Sequence, residues 1–152
     1  MTSNDNISIG KYVGLFALLY ALTMALFNIL AHGFDIDLGP GANIAILMAA
    51  SMVTSNQFAT INRRAPRKAE KTKIILGCLL SSFAISAFGV LTLTFIAVGI
   101  QETMEITSIL PQLSTLTWLV IVTAVTLFHY LVLNLSFGWH ATKYASKIQP
   151  TA

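Results

Sequence analysis

His129 is the first candidate for chemistry in this 152-residue chain, because it lies inside residues 106–142, which contain no Asp, Glu, Lys or Arg. A histidine in such a segment could exchange a proton or contact a ligand near neutral pH. It could instead stay neutral and hydrogen-bond to a Ser or Thr of another helix. On the fourth segment it lies near Thr126 and Tyr130, and Thr123 and Asn134 continue a broad polar stripe. The structural interpretation is favoured because this segment offers no second group to which a proton could pass.

A wider set of polar side chains has a similar predicted depth in a membrane, counted from the ends of three apolar segments that would lie on the same side. With His129 and Tyr130, the members of this predicted intramembrane polar cluster are Asn56, Ser81, Ser82 and Asn134. Hydrogen bonds between helices in lipid average about 0.6 kcal/mol and need no ligand to explain them. These side chains could therefore only hold helices together. The alternative function is a small vestibule open to the cytoplasm.

Patterns typical of enzymes and cofactor sites do not occur in the sequence. It contains no His-Glu-x-x-His, no Gly-x-Ser-x-Gly and no phosphate-binding glycine-rich loop. The one cysteine, Cys78, excludes an intrachain disulfide, and the three histidines do not pair at one predicted depth as haem ligands would. The sequence therefore predicts a protein that is not an enzyme and has no cofactor or bound metal.

The elements that position these residues follow from charge and hydropathy. Only 10% of the residues are charged, against about 25% in an average soluble domain. The charged residues separate four uncharged runs, each longer than the ~20 residues that cross a hydrocarbon core as a helix. We predict an all-α, polytopic membrane protein, a four-transmembrane-helix bundle in a single domain 1–152, with spans near 12–31, 42–61, 74–100 and 115–137.

All nine Lys and Arg residues lie on one side of this predicted membrane. They are Lys11, the six cations of the 62–73 connection, and Lys143 and Lys147 in the tail. The charged side chains of the first and third connections are all acidic. The positive-inside rule therefore places both termini and the 62–73 loop in the cytoplasm. The bundle would consist of two helical hairpins joined by this basic cytoplasmic loop. Within the loop, Asn62 can end the second helix and Pro66 can begin the third, which would place Glu70 in its early part.

The basic loop itself predicts a contact with anionic lipid headgroups. Its cations are Arg63, Arg64, Arg67, Lys68, Lys71 and Lys73. Beside a bilayer each would gain about 1 kcal/mol from anionic lipid, although the same charges could serve only to set the topology. The loop is too short for a nucleic-acid-binding module, so the predicted partner is the lipid bilayer and no nucleic acid.

A short pattern around this loop carries a resemblance. Phe58, Arg64-Ala65-Pro66 and Glu70-Lys71 lie between the second and third apolar segments. This pattern resembles a bacterial family of uncharacterised small inner-membrane proteins with four predicted spans. That family typically has Gly-Arg-Ala-Pro-Thr here, and this chain has Arg63 in place of the Gly and Arg67 in place of the Thr. The resemblance implies a bacterial inner membrane and supplies no activity.

These patterns together predict an integral inner-membrane protein without catalytic activity, either an accessory protein that binds a partner or one that self-associates. Short loops leave little surface outside lipid, so contacts with another membrane protein or a second copy would use the sides of the helices. One alternative is a small transporter or channel whose path is lined by the polar stripes of helices two and four. Another is a membrane-embedded immunity or stress protein that blocks another polypeptide.

Overall fold

A computed structural model describes residues 8–34, 39–109 and 114–148. Within these ranges every residue is helical except Ser8, the connection 63–67 and Ser114, and no strand occurs. The helices are α1 (Ile9–Phe34), α2 (Gly39–Asn62), α3 (Lys68–Ile109), α4 (Thr115–Leu135) and α5 (Ala141–Ile148), with a π-helical turn, Ser136–His140, between α4 and α5.

Four helical segments, namely α1, α2, α3 and the continuous α4–α5 segment, are long and apolar enough to cross a membrane. The prediction of an all-helical chain with four such segments is confirmed. The helices nevertheless extend beyond the predicted spans, since α3 begins at Lys68 and continues past Glu102 and Glu105 to Ile109. Charged residues mark where a segment becomes unfavourable in the hydrocarbon core, but Lys and Glu are good helix formers. Charge alone therefore underestimates helix length.

The helices pack as two antiparallel hairpins placed side by side. α1 lies beside α2 and also beside α3, while α4 lies beside α3 and α2. The order around the bundle is therefore α1, α2, α4, α3, so that α2 and α3 are diagonal although only five residues connect them. The start of α1, the 63–67 connection and α5 lie at one end, termed here the basic end because all nine Lys and Arg residues lie at or near it.

The hydrophobic core lies mainly in the half of the bundle nearest the basic end. α1 contributes a stripe at four-residue spacing, Tyr12, Phe16, Tyr20 and Met24, because residues four apart share one helix face. The large side chains of the other helices that are fully buried with it are Leu47, Phe58, Ile74, Ile75, Leu133 and Phe137. In contrast, none of residues 115–131 is buried.

Gly77 sets the distance between α1 and α3. A Cβ atom at this position would lie 2.5 Å from Val13 Cγ2, which is closer than two carbon atoms can pack. Only the hydrogen of glycine fits at this contact, and this is the use of small residues at helix interfaces in membranes. Ser81, one turn later, turns its Oγ back to donate to Gly77 O at 2.8 Å.

The 63–67 connection begins where α2 ends at Asn62, as the sequence predicts for that residue. Arg63 then takes a left-handed backbone conformation with φ of 51°, which glycine most often adopts at a helix C-terminus. The Asn62 side-chain amide donates to Phe58 O and to the Tyr12 hydroxyl, both at 2.8 Å. The end of α2 is therefore tied to the start of α1.

Candidate functional site

An ion pair closes the connection at the basic end. The two terminal nitrogens of Arg64 donate to the two carboxylate oxygens of Glu70, each at 2.7 Å. Glu70 Oε2 also accepts from the backbone N–H of Arg67 at 2.8 Å. That contact is the return half of a capping box, made by a Glu at the third helical position. The Arg64 guanidinium lies 5.9 Å from the centroid of the Phe58 ring, within range of a cation–π contact.

The charge on Glu70 is stabilised by these contacts. Glu70 precedes the uncharged segment that begins at Ile74. The hydrogen bonds from Arg64 lower the pKa of Glu70 from 4.5 to about 2, burial opposes this shift, and the Arg67 N–H adds to it. Arg64, which belongs to the pattern that resembles the bacterial family, therefore contacts both Glu70 and Phe58 at the start of α3. We term these contacts the clamp.

Replacing Glu70 with Gln should lower the free energy of unfolding at neutral pH by about 1 kcal/mol, because the amide cannot provide the charge-assisted pair with Arg64. The pKa of the folded carboxylate, about 2, lies below its ordinary value of 4.5. Its contribution is therefore complete above about pH 4.5 and is lost as the pH falls towards 2. Thermal unfolding in detergent over this interval measures the effect. If the thermal stability of Glu70→Gln falls over this pH interval as much as that of the wild type does, the prediction is wrong.

The six cations predicted to contact lipid do not share one environment. Arg64 is engaged with Glu70, and Lys71 points into the bundle, where its Nζ lies 3.1 Å from the place of a Gly138 Cβ. The cations with exposed side chains are Arg63, Arg67, Lys68 and Lys73. Arg64 and Lys71 therefore have contacts within the chain, and the contact of the six cations with anionic lipid stays a prediction.

His129 makes its hydrogen bond within its own helix. Its Nδ1 lies 2.9 Å from Val125 O, and its ring stacks on Phe83 of α3 with a centroid distance of 5.4 Å. No Ser or Thr of another helix within the described ranges hydrogen-bonds to His129, which was the predicted arrangement. An aromatic ring holds the imidazole on one side, and a backbone carbonyl holds its Nδ1.

Asn56 pairs with His140, which is not a member of the predicted polar cluster. His140 Nε2 lies 3.0 Å from Asn56 Oδ1. His129 and His140 are eleven residues apart on the α4–α5 segment, or about 16 Å along a helix. Among the described residues, no hydrogen bond joins two members of the predicted polar cluster: Asn56 is paired with His140, and His129 with the Val125 carbonyl of its own helix.

The remaining predicted members are also separate. Ser81 and Ser82 donate to carbonyls of their own helix, those of Gly77 and Leu79. Tyr130 is 44% exposed and Asn134 is half-buried. Ser81 and Ser82 therefore satisfy their hydroxyls within α3.

Two hydroxyl contacts between helices were not predicted. Ser51 Oγ lies 2.8 Å from Ser136 Oγ, with both side chains buried, and the Tyr20 hydroxyl lies 2.9 Å from Ser86 Oγ. These contacts join α2 to the π turn and α1 to α3. Among the described residues, every buried side-chain nitrogen or oxygen has a hydrogen-bond partner. No signal in the sequence pairs residues that are 85 or 66 positions apart.

The π turn orients the basic end of the α4–α5 segment. The backbone N–H of Ala141 reaches Ser136 O, five residues back, as well as Gly138 O. The wider turn carries Ser136 and Phe137 inwards and aims His140 at α2. Such turns occur frequently at functional positions in helices. Here the turn places a histidine, a glycine and the Lys71 ammonium near one another.

Within residues 8–34, 39–109 and 114–148, no group of three His, Cys, Asp or Glu side chains could hold a metal ion. The buried polar side chains of the described residues all have hydrogen-bond partners. Comparisons of the chain with protein-family models, with curated proteins and with solved structures give no match.

Proposed function

We propose that this protein is an integral membrane protein without catalytic activity that associates, in the plane of the membrane, with another membrane protein or with a second copy of itself. The proposal places it in a bacterial inner membrane, with the basic end and both termini in the cytoplasm. Nine cations at or near one end of the bundle support this orientation. The resemblance around Arg64-Ala65-Pro66 supports the bacterial membrane.

The exposure of apolar side chains in the first half of α4 is the observation that carries the proposal. Leu119, Val120, Ile121 and Val122 are consecutive residues with exposed fractions of 61%, 61%, 44% and 50%. Since successive residues of a helix point about 100° apart, these four cover its whole circumference. This part of α4 therefore keeps exposed apolar side chains on every side although it belongs to a helix that lies beside α3 and α2. A helix in lipid gains stability by packing such surface against another helix.

Cysteine scanning across this segment tests the proposal. Cys78, which is fully buried, is replaced with Ala, and single cysteines are introduced from Leu116 to Leu131. Crosslinking in native membranes should give one product whose yield varies with a period of about 3.6 residues, because a docked helix presents one face. A cysteine at Leu80, an α3 residue 70% exposed, serves as the control for random collisions.

The results separate the proposed function from its alternatives. A mass equal to twice that of the chain identifies self-association, and any other mass identifies a partner, including the target that an immunity or stress protein would block. Uniform yields along α4 that match the Leu80 control would mean that lipid alone surrounds this helix, and the proposal would fail. Substrate flux in proteoliposomes that is lost in a His129→Gln variant of normal stability would favour the transporter instead.

A further inference from the structure

A cleft of about 390 Å³ opens between α1 and α2 at the basic end. Ser8, Lys11 and Leu15 form its wall on α1, and Gln57 and Ile61 form its wall on α2. Residues 8, 11 and 15 point away from Val13, which contacts α3, because each is about 160–220° from it around the helix. The cleft therefore faces the outside of the bundle and not its core.

The back of the cleft is held in shape by contacts between the two helices. The Asn62 amide donates to the Tyr12 hydroxyl at 2.8 Å, and the Tyr12 and Phe58 rings lie 4.8 Å apart. Both aromatic side chains are buried. The walls are therefore preorganised by packing, so binding would not require the helices to separate.

The lining of the cleft combines polar and apolar side chains. Lys11 supplies a cation, Ser8 a hydroxyl and Gln57 an amide, and none of the lining residues that the structure describes is an Asp or Glu. Leu15 and Ile61 supply apolar surface. A ligand that matches this pattern has an anionic, hydrogen-bonding head and an apolar body.

An apolar track continues from the cleft along both helices. On α1, Leu18 and Leu22 follow Leu15 at three- and four-residue spacing and are 57% and 59% exposed. On α2, Val53 precedes Gln57 by four residues and is 51% exposed. A small soluble anion would not contact this apolar track. It has the position and length to accept an acyl chain.

We propose that this cleft binds one anionic phospholipid, with its headgroup phosphate at Lys11 and Ser8 and an acyl chain along Leu15, Leu18 and Leu22. The proposal rests on the proposed insertion of the chain in a membrane, but it does not depend on the association through α4. It assigns lipid binding to a defined surface distinct from the exposed cations of the 63–73 segment. The lipid would seal α1 against α2 at the headgroup level.

Native mass spectrometry of the full chain, released from nanodiscs of equal parts phosphatidylglycerol and phosphatidylcholine, tests the site. The wild type should retain one phosphatidylglycerol in preference to phosphatidylcholine. Lys11→Gln should reduce this retention about fivefold, which corresponds to about 1 kcal/mol for one cation near a lipid surface. Lys147→Gln, which removes the same charge from an exposed side chain of α5 outside the cleft, should leave it within about twofold.

A second variant separates binding from folding. Leu15→Trp fills the cleft and keeps the charge of Lys11, so it should also abolish selective retention while the thermal unfolding temperature stays near that of the wild type. If Lys11→Gln fails to fold, this variant still decides the question. Retention by Leu15→Trp equal to that of the wild type would overturn the proposal.

Other outcomes would also overturn it. Equal losses for Lys11→Gln and Lys147→Gln would indicate diffuse attraction by charge, and displacement of the lipid by excess inorganic phosphate would assign the cleft to a soluble anion. Retention that appears only after deletion of residues 2–7 would assign the cleft to that segment of the chain. Failure to enter nanodiscs would refute the proposed membrane insertion, whereas normal entry without selective retention would refute only the lipid site.

Discussion

Replacing Phe58 with Ala should lower the free energy of unfolding by about 3–5 kcal/mol, because deletion of a fully buried ring leaves a cavity that the surrounding helices cannot fill. Phe58 is 0% exposed. Its ring lies 4.8 Å from that of Tyr12 and 5.9 Å from the Arg64 guanidinium. The substitution therefore weakens both the α1–α2 contact and the clamp at the 63–67 connection.

Phe88→Ala is the matched control for this experiment, since it makes the same chemical change at a side chain that is 73% exposed. Its effect should stay within about 0.5 kcal/mol, as for most surface substitutions. Unfolding in mixed micelles with increasing dodecyl sulfate, followed by circular dichroism, measures both variants. Equal losses for Phe58→Ala and Phe88→Ala would contradict the placement of the core at the basic end.

Gly77→Ala should cost about 1–3 kcal/mol, the range expected when a methyl group is forced into a packed contact. The added Cβ would lie 2.5 Å from Val13 Cγ2 and 3.1 Å from Cγ1. The side chain of Val13 is branched at Cβ and has few alternative rotamers in a helix. The strain must therefore be relieved by moving α1 away from α3.

Two further variants make this prediction specific. Gly14→Ala adds the same methyl group on α1 where no atom lies within 4 Å, so it should be neutral or stabilise the helix by up to about 1 kcal/mol. Val13→Ala should recover much of the loss when combined with Gly77→Ala, because the two changes act on one contact. Additive effects of Val13→Ala and Gly77→Ala would show that Gly77 acts elsewhere.

Local features of the fold follow from the sequence with little error. The end of α2 at Asn62 and the placement of Glu70 in the first turn of α3 depend on neighbouring residues, so spacing alone predicts them. The prediction that Pro66 begins α3 is wrong, since the helix begins at Lys68 and Glu70 reaches back to the Arg67 N–H. Proline suits the first turn of a helix, but the capping contact of Glu70 determines the boundary here.

The polar contacts of the bundle could not be predicted in the same way. Counting residues from the helix ends places Asn56 at a similar depth to Ser82, but it does not show that Asn56 pairs with His140 or that Ser82 donates to a carbonyl of its own helix. The helices extend different distances beyond their apolar segments, and the π turn changes the direction of side chains after Leu135. Small errors in depth and rotation are enough to assign a side chain to the wrong partner.

Hydropathy and charge were sufficient for the helical class, the number of long apolar segments and the gathering of cations at one end, because these properties act residue by residue along the chain. The order α1, α2, α4, α3, the close approach of Gly77 to Val13 and the pairing of Asn56 with His140 were decided only by tertiary packing. Each depends on the shapes of side chains that meet from distant segments. An amphipathic pattern could have oriented the helices in water, but helices that are apolar on all sides carry no such preference, so small residues and steric fit select their partners.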